Sequence, residues 1–289
     1  MRHLRSWFPN GVAAFVVLLS LRGSTPAQET SDPWSHVRRE HLDSFKIEFA
    51  NTFDGLQLVQ TPLLTYSNPV RSSELQGEVY LWTVARRPAF VAAVWTVQLP
   101  DGQPGRRLSH EWHSLTNENI SVETPLTPRW EAGEPGVTWH DVPEAPAPAR
   151  AAPLRLVQMR QLAARFTAEI ESEGESELRL LPQPIFRYQQ DGDHTTDGGL
   201  FAFSMGTDPE VLLWIESVSG ESGPPRFRCA AVHFARLPVT VRCDNEVIEA
   251  FDLAEQRLAT GRHHLWFGVE EVAEEPPIRP QVNFLEAGQ

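Results

Sequence analysis

His110-Glu111-Trp112-His113 is the group of residues with the clearest chemical potential in this sequence. A zinc protease of the H-E-x-x-H type needs two histidines one helical turn apart, with the glutamate as general base. Here the histidines are three positions apart on a predicted strand, so their side chains should point to opposite faces of the sheet. We therefore expect no shared metal ion. His110, Glu111 and His113 remain weak candidates for catalytic acid and base groups.

A second polar cluster lies at Asp191, Asp193, His194 and Asp197, in a loop that contains glycine. The spacing of the aspartates resembles part of a calcium-binding loop, but the closing glutamate and the flanking helices of an EF-hand are missing. A solvated turn is the simpler interpretation. The sequence contains no Gly-rich phosphate loop, nucleophile elbow or dinucleotide-binding fingerprint. We therefore expect no metal ion and no other cofactor.

Cys229 and Cys243 are the only cysteines. A hairpin that turns near residue 236 would bring the two side chains roughly opposite each other, and an oxidising compartment would allow a disulfide there. Two buried apolar thiols are equally consistent with the sequence. No Cys-His signature surrounds either residue, so neither is a candidate nucleophile.

Composition and charge limit the possible partners. The chain has 289 residues, of which 41% are hydrophobic, and nine tryptophans, which together predict a packed globular protein. Its formal net charge is −13. A protein binds nucleic acid or an anionic lipid surface through clusters of its own Lys and Arg side chains. Because this chain is strongly acidic, we expect neither nucleic acid nor an anionic lipid surface as a partner.

The N-terminus has the three parts of an export signal. Arg2 and Arg5 form a basic region, Val12 to Leu21 is an apolar stretch of ten residues, and Thr25-Pro26-Ala27 ends in a small residue. Cleavage after Ala27 would give a periplasmic or extracellular protein without a membrane span. An uncleaved anchor is the alternative, although a bilayer crossing needs about 20 apolar residues.

Residues 37–115 are related to residues 158–236. A shift of 121 positions places Gly77, Thr83, Pro88 and Val94 on Gly198, Ser204, Pro209 and Ile215, and a shift of 122 places Tyr66 on Tyr188. Such a repeat predicts two copies of one supersecondary block. The predicted boundaries are a signal peptide (1–27), repeat 1 (28–116), a Pro-rich linker (117–153), repeat 2 with extra strands (154–273) and a tail (274–289).

Each copy is predicted to contain one helix followed by four strands. Apolar residues at spacings of three and four indicate the helices: Leu42, Phe45 and Phe49, then Met159, Leu162, Phe166 and Ile170. The predicted strands of copy one are 56–66, 79–84, 90–97 and 107–115, and those of copy two are 178–188, 200–205, 211–218 and 226–235, with extra strands at 239–241, 247–251 and 264–269. The hairpins are apolar on both faces, so the second face should be covered by the other copy or by the terminal extension. We expect the copies to pack together.

A helix followed by a four-stranded antiparallel sheet resembles the cystatin-like fold, and two such units resemble a tandem cystatin-like duplication of the α+β class. Neither copy contains the cystatin inhibitory Gln-x-Val-x-Gly loop, so protease inhibition is not implied. The strings LRLLPQPIFRY (178–188) and GTDPEVLLWIE (206–216) are similar to those of a group of uncharacterised exported bacterial proteins. That resemblance implies export and no particular activity.

Two functions from different classes fit these observations. The first is an exported noncatalytic binding or interaction protein, whose paired sheets present a face or an edge to a protein, peptide or glycan. The second is a cell-envelope hydrolase that uses His110, Glu111 and His113 in a cavity between helix and sheet. The sequence leaves the ligand and the oligomeric state open.

Overall fold

The computed structural model describes residues 32–49, 55–68, 72–99, 105–125, 129–132, 136–171, 175–190, 196–220, 223–252 and 265–273. The predicted signal segment and the predicted tail lie outside these ranges. The described part consists mostly of antiparallel strands, with two α-helices. The prediction of a sheet-rich protein that combines helices with antiparallel sheets is confirmed at this level.

Helices and strands follow each other in a similar order in the two halves of the chain. The first half contains α1 (Ser35–Asp43), β1 (Lys46–Phe49), β2 (Gln57–Leu58), β3 (Leu64–Asn68), β4 (Ser72–Val84), β5 (Arg87–Gln98), β6 (Arg106–Ser114), β7 (Ile120–Glu123), β8 (Trp130–Glu131) and β9 (His140–Asp141). The second half contains α2 (Ala152–Ala163), β10 (Phe166–Glu171), β11 (Glu175–Glu177), β12 (Arg179–Leu180), β13 (Phe186–Gln190), β14 (Thr196–Met205), β15 (Asp208–Gly220), β16 (Gly223–His233), β17 (Val239–Cys243), β18 (Glu246–Phe251) and β19 (Leu265–Ala273). The stretch 117–153, predicted as a linker, therefore includes β7, β8 and β9.

Two six-stranded antiparallel sheets contain the long hairpins. Sheet I has the order β19-β6-β5-β4-β2 with β3 also paired to β4, and sheet II has the order β9-β16-β15-β14-β12 with β13 also paired to β14. The halves exchange an edge strand, because β9 of the first half pairs with β16 of the second, and β19 of the second half pairs with β6 of the first. Two smaller sheets, β1-β7-β8 and β11-β10-β17-β18, complete the topology of the described residues.

Strand register matches between sheets I and II. Tyr66 lies opposite Gly77 in sheet I, and Tyr188 lies opposite Gly198 in sheet II. Each hairpin has an irregularity just before its turn, between Trp82 and Thr83 or between Phe203 and Ser204. These irregularities place Pro88 opposite Thr83 and Pro209 opposite Ser204. The two turns therefore leave their sheets at corresponding positions.

Each central sheet is buried on both faces, because successive side chains of a strand point to opposite sides. In β4, Val79 and Leu81 enter a core shared by the two sheets, whereas Tyr80 and Trp82 enter an outer core that includes Leu42 of α1. The side chains of β14 in the second half are divided between two cores in the same way. Leu200 and Ala202 enter the shared core, and Phe201 and Phe203 enter an outer core with Met159 and Leu162 of α2. Sheets I and II therefore pack face to face, as the apolar hairpins predict.

A buried arginine joins each helix to its sheet. Nη2 of Arg38 lies 2.9 Å from Oε1 of Glu78 on β4, and Nε of Arg155 lies 2.8 Å from Oδ2 of Asp197 on β14. Both arginines and both acids are buried. Losing one partner of such a pair leaves a buried charge, which is strongly destabilising. The pairs therefore favour one position of each helix on its sheet.

Both helices are shorter than the apolar spacing predicts. Helix α1 ends at Asp43 and α2 ends at Ala163, so Phe45, Phe49, Phe166 and Ile170 lie beyond them. Phe166 and Ile170 belong to β10, where they and Ala168 are buried in alternation with less buried residues. A spacing of four is even, so it places two residues on one face of a strand as well as on one face of a helix. The predicted order of one helix and four strands thus omits β1 and β10.

The first predicted strand of each copy is divided in two. Pro62 lies between β2 and β3, and Pro182 and Pro184 lie between β12 and β13. Proline has no N–H group to donate to the ladder, so it interrupts pairing and suits an edge position. The divided strands do lie beside β4 and β14, at the ends of the two sheet orders.

The contact between tyrosine ring and glycine gives the first prediction. A Cβ atom on Gly77 would lie 2.3 Å from Cζ of Tyr66, and one on Gly198 would lie 2.5 Å from Cζ of Tyr188. Both rings are buried and cannot move aside freely. We expect Gly77→Ala and Gly198→Ala each to lower the free energy of unfolding by about 2 kcal/mol, as overpacking does. Urea unfolding measures this change.

Gly223→Ala is the matched control, because a Cβ atom there would meet nothing within 4 Å. It should unfold at the same urea concentration as the natural chain. Stability of Gly77→Ala and Gly198→Ala equal to that of the control would contradict the close contact.

Candidate functional site

The three sequence candidates are divided between the two faces of β6. His110 is fully buried on the outer side, where its ring centroid lies 4.4 Å from that of Trp112. His113 is fully buried on the side of the shared core, stacked on Phe234 with centroids 4.0 Å apart. Nε2 of His113 lies 3.6 Å from Oε1 of Glu111, beyond the range of a hydrogen bond. Strand geometry therefore separates His110 from the other two, as the spacing predicts.

His110 has a partner that the sequence did not indicate. Nε2 of His41, on α1, lies 2.9 Å from Nδ1 of His110, so the two imidazoles share a hydrogen bond beneath the helix. Burial lowers the pKa of His41 to about 4. Burial, and to a smaller degree the nearby His41, lowers the pKa of His110 well below its usual range. Both imidazoles are therefore neutral at pH 7, and the pair stabilises the contact between α1 and sheet I.

A cavity of ≈ 200 Å³ lies between sheets I and II. Its apolar wall consists of Tyr66, Leu75, Trp95 and Phe234. Tyr66 and Phe234 are buried, whereas Leu75 and Trp95 are half-buried. This volume suits a small molecule or a single side chain rather than a large ligand.

The polar wall of the cavity is mainly acidic. Glu111 comes from sheet I, Asp208 and Glu210 come from β15 of sheet II, and the exposed Arg236 completes the lining. Glu111 and Glu210 are buried, at 5% and 1% exposure. Asp208 accepts a 2.8 Å hydrogen bond from Nδ2 of Asn68, which follows Tyr66 on β3. Three carboxyl groups and one guanidinium group thus face a small space that aromatic rings border.

The carboxyl groups of the cavity also change the pKa of the Tyr66 hydroxyl. Burial raises the pKa of Tyr66 well above its usual range, and the nearby Asp208, Glu111 and Glu210 raise it further. The Tyr66 hydroxyl is therefore neutral at physiological pH and can serve as a hydrogen-bond donor. An uncharged donor beside carboxyl groups is suited to binding and orienting a ligand.

The corresponding place beside Tyr188 is closed by side chains. Tyr188 donates a hydrogen bond to Oε1 of Glu216, and Nε1 of Trp214 donates a 3.0 Å bond to the Tyr188 hydroxyl. Nε of Arg87 lies 3.0 Å from Oε1 of Glu216, and Nε of Arg228 lies 2.8 Å from Oε2. Because Arg87 begins β5 of sheet I, this ion pair joins the two sheets.

Aromatic rings stack on both guanidinium groups of the closed site. The Arg87 guanidinium lies 4.6 Å from the centroid of Trp214, and that of Arg228 lies 4.2 Å from the centroid of Trp139. Burial by itself raises the pKa of Glu216. The hydrogen bonds and charge of Arg87, together with the charge of Arg228, lower the pKa by more than burial raises it, so the pKa of Glu216 lies below its usual value. Glu216 is therefore ionised between two cations.

Cys229 and Cys243 are free, buried thiols of one outer core. The hairpin expected to turn near residue 236 does not form, because β16 belongs to sheet II whereas β17 pairs with β10 and β18 of a smaller sheet. Burial raises the pKa of Cys229 to about 12, and burial also raises that of Cys243. Thiols that stay protonated at neutral pH are poor nucleophiles.

Of the candidates in the second polar cluster, the structure describes Asp197 alone. Asp191, Asp193 and His194 lie outside the described residues, and Asp197 pairs with Arg155 and Arg187. Where the structure describes the chain, no group of three or more His, Cys, Asp or Glu side chains could hold a metal ion. Within the same ranges, no helix has the length and apolar character that a membrane crossing requires.

Sequence reasoning missed Tyr66, Asp208 and Glu210 as residues of one site. Tyr66 entered the comparison of the two copies only as a repeated position. A signal was nevertheless present, because Asp208 and Arg87 occupy matching positions beside the turns of the two long hairpins. The side chains at these two positions carry opposite charges.

No protein-family model, curated protein or solved structure matches this chain. The resemblance to a tandem cystatin-like order and the similarity to exported bacterial proteins therefore stay predictions.

The buried histidine pair gives a prediction for the pH dependence of stability. The unfolded chain takes up a proton at His41 below the ordinary histidine pKa of 6.5, whereas the folded chain does so only near pH 4. The free energy of unfolding should therefore fall as the pH decreases from 6.5 to 4, by about 3 kcal/mol from this residue. His41→Gln keeps a hydrogen-bonding group and should lose less stability over this interval. Urea unfolding at a series of pH values measures the difference.

His36→Gln, which replaces a histidine of the same helix outside this pair, is the matched control. Parallel pH curves for His41→Gln and the natural chain would contradict the account.

Proposed function

We propose that the chain is a noncatalytic binding protein and that its ligand site is the cavity between sheets I and II. The observation that carries this proposal is the meeting of an aromatic wall, around Trp95 and Tyr66, with the carboxyl groups of Glu111, Asp208 and Glu210. Small-molecule sites commonly combine an apolar surface with a few convergent polar groups. Their position between two packed sheets holds these groups on rigid strands.

Several contacts favour binding over hydrolysis. A hydrolytic site brings its acid and base groups together around the substrate. Glu111 lines the cavity, whereas His113 stacks on Phe234 and is not among the lining residues, and His110 lies on the opposite face of the sheet. The alternative function, a cell-envelope hydrolase, would use His110, Glu111 and His113. Of these three residues, Glu111 lines the cavity and the two histidines do not.

We also propose that the two halves are copies of one helix-and-sheet block, related by an approximate twofold axis. The matched registers support this proposal, and so do the reciprocal contacts of the two turns. Nε2 of Gln190 donates to the carbonyl oxygen of Ala85 at 2.7 Å, and Oγ1 of Thr207 donates to that of Ser67 at 2.8 Å. Duplication of one block would give two equivalent places between the sheets, one now filled and one now open.

Export is the third part of the proposal. It rests on the basic, apolar and small-residue regions of residues 1–27. The ligand would then come from the periplasm or the medium, as a protein, peptide or glycan group or as a free small molecule. Nucleic acid is a poor candidate, because the net charge of −13 repels phosphate.

A variant that blocks the cavity tests whether the ligand binds there. Leu75 lines the cavity and is half-buried, so Leu75→Trp should fill part of the space. Ligand-observed NMR with a fragment set of cationic, neutral and anionic compounds would identify binders to the natural chain. We expect Leu75→Trp to lose at least about tenfold in affinity for these compounds, since a filled pocket excludes them.

Leu154→Trp is the matched control, because Leu154 is 58% exposed on α2 and does not line the cavity. It should retain the natural affinity. The proposal fails if no fragment binds, or if the fragments that bind are unaffected by Leu75→Trp while the variant remains folded by circular dichroism.

A further inference from the structure

The Tyr66 hydroxyl in the cavity differs from the matching Tyr188 hydroxyl in its hydrogen bonds. Tyr188 donates to Oε1 of Glu216 and accepts a 3.0 Å bond from Nε1 of Trp214. Tyr66 lines the cavity and is 6% exposed. Among the residues that the structure describes, none forms a hydrogen bond with the Tyr66 hydroxyl. Because a buried hydroxyl normally has a hydrogen-bond partner, this one points to a ligand in the cavity.

Strand register shows how the Tyr188 hydroxyl obtains its acceptor. In sheet II, Tyr188, Gly198 and Glu216 lie directly opposite one another on β13, β14 and β15. Gly198 has no side chain, so the tyrosine ring lies over this glycine and the hydroxyl reaches the carboxyl group of Glu216. The third residue of the row is therefore the hydrogen-bond acceptor.

The matching row in sheet I has no acceptor in this position. Tyr66, Gly77 and Trp95 lie directly opposite one another on β3, β4 and β5, and the Tyr66 ring lies over Gly77. The indole of Trp95 has one N–H donor and no acceptor. Trp95 is half-buried and lines the cavity. Sheet I therefore supplies an aromatic ring where sheet II supplies a carboxylate.

The two partners of Tyr188 show what a tyrosine hydroxyl in this place can bind. They are one acceptor and one donor, which meet at a single oxygen atom. Hydroxyl groups on neighbouring carbons of a ring can replace both, because one accepts while the other donates. A trans peptide unit cannot, since its C=O and N–H groups point to opposite sides. Vicinal hydroxyl groups on a ring are characteristic of sugars.

The aromatic wall of the cavity suits the apolar face of a sugar ring. A pyranose carries C–H groups on its faces, and the partly negative face of an indole attracts their hydrogen atoms. Trp95 lines the cavity together with Tyr66, and the volume of ≈ 200 Å³ has room for one ring with its substituents. Burial raises the pKa of Tyr66 well above its usual range, so both side chains are uncharged at pH 7. Uncharged partners of this kind suit a neutral ligand.

We infer that the cavity between sheets I and II binds one sugar unit, whose ring packs on Trp95 and whose neighbouring hydroxyl groups hydrogen-bond to the Tyr66 hydroxyl. This inference rests on the proposed function, since it names the ligand class of the same site. Neither contact involves the carboxyl groups of the cavity. The unit belongs either to a free monosaccharide or to a glycan, and both sources present the same ring and hydroxyl groups.

Titrations followed by ligand-observed NMR test the inference with matched probes. The probes are methyl pyranosides of the gluco, galacto and manno configurations, tetrahydropyran-2-methanol, which has a ring and one hydroxyl group, and acetyl-dialanine methylamide, which has peptide units. We expect at least one methyl pyranoside to bind at least about tenfold more tightly than the other two compounds, because only it presents vicinal hydroxyl groups on a ring. A linear trisaccharide of the same unit separates the sources: tighter binding than the methyl pyranoside assigns the site to a glycan, and weaker or equal binding assigns it to a free monosaccharide.

Tyr66→Phe removes the hydroxyl and keeps the ring. We expect its affinity for the best methyl pyranoside to fall by about tenfold, as loss of hydrogen bonds to the ligand does. Its urea midpoint of unfolding should equal that of the natural chain, because the described residues form no hydrogen bond with this hydroxyl. Tyr188→Phe is the matched control. It should keep the natural affinity and have a lower urea midpoint, because Glu216 and Trp214 lose their partner.

Unchanged affinity for the pyranoside in Tyr66→Phe would overturn the sugar inference, and so would equally tight binding of tetrahydropyran-2-methanol or the dialanine compound. An equal fall of the urea midpoint in the two tyrosine variants would also overturn it, because Tyr66 would then have a partner within the protein. If no pyranoside binds but Leu75→Trp still excludes other fragments, the binding cavity itself stays supported. The two proposals can therefore fail separately.

Discussion

Face-to-face packing of two sheets that are apolar on both sides is the constraint on which the rest of the structure depends. Val79, Leu81, Leu200 and Ala202 are buried in the shared core, while their neighbours on the same strands are buried in the outer cores. Polar side chains within this packing must therefore find a hydrogen-bonding partner or border a cavity. Arg87 takes the first course, through its ion pair with Glu216 of the other sheet.

Differences between matched positions of the two sheets then decide where a cavity lies between them. Trp214 and Glu216 contact Tyr188 directly, whereas a cavity that Trp95 and Glu111 also line lies beside Tyr66. The cavity is thus a local change of side-chain size and charge on a framework that stays the same.

Sequence reasoning reached the framework more completely than the site. The two long hairpins, the turns at Pro88 and Pro209 and the burial of both sheet faces followed from apolar patterns and from the predicted repeat. The helices were predicted too long, because a spacing of four residues fits both a helix and the strand that contains Phe166. The exchange of β9 and β19 between sheets, and the meeting of Tyr66 with Asp208, could not be predicted because they depend on contacts between residues distant in sequence.

The most direct test of the account is a double-mutant cycle between Arg87 and Glu216. Arg87 belongs to sheet I and Glu216 to sheet II, so their 3.0 Å ion pair exists only if the two sheets pack face to face. Urea unfolding of Arg87→Gln, Glu216→Gln and the double variant yields the interaction energy between the two residues. Face-to-face packing predicts a coupling of at least about 1 kcal/mol, and additive losses, within about 0.3 kcal/mol, would contradict it.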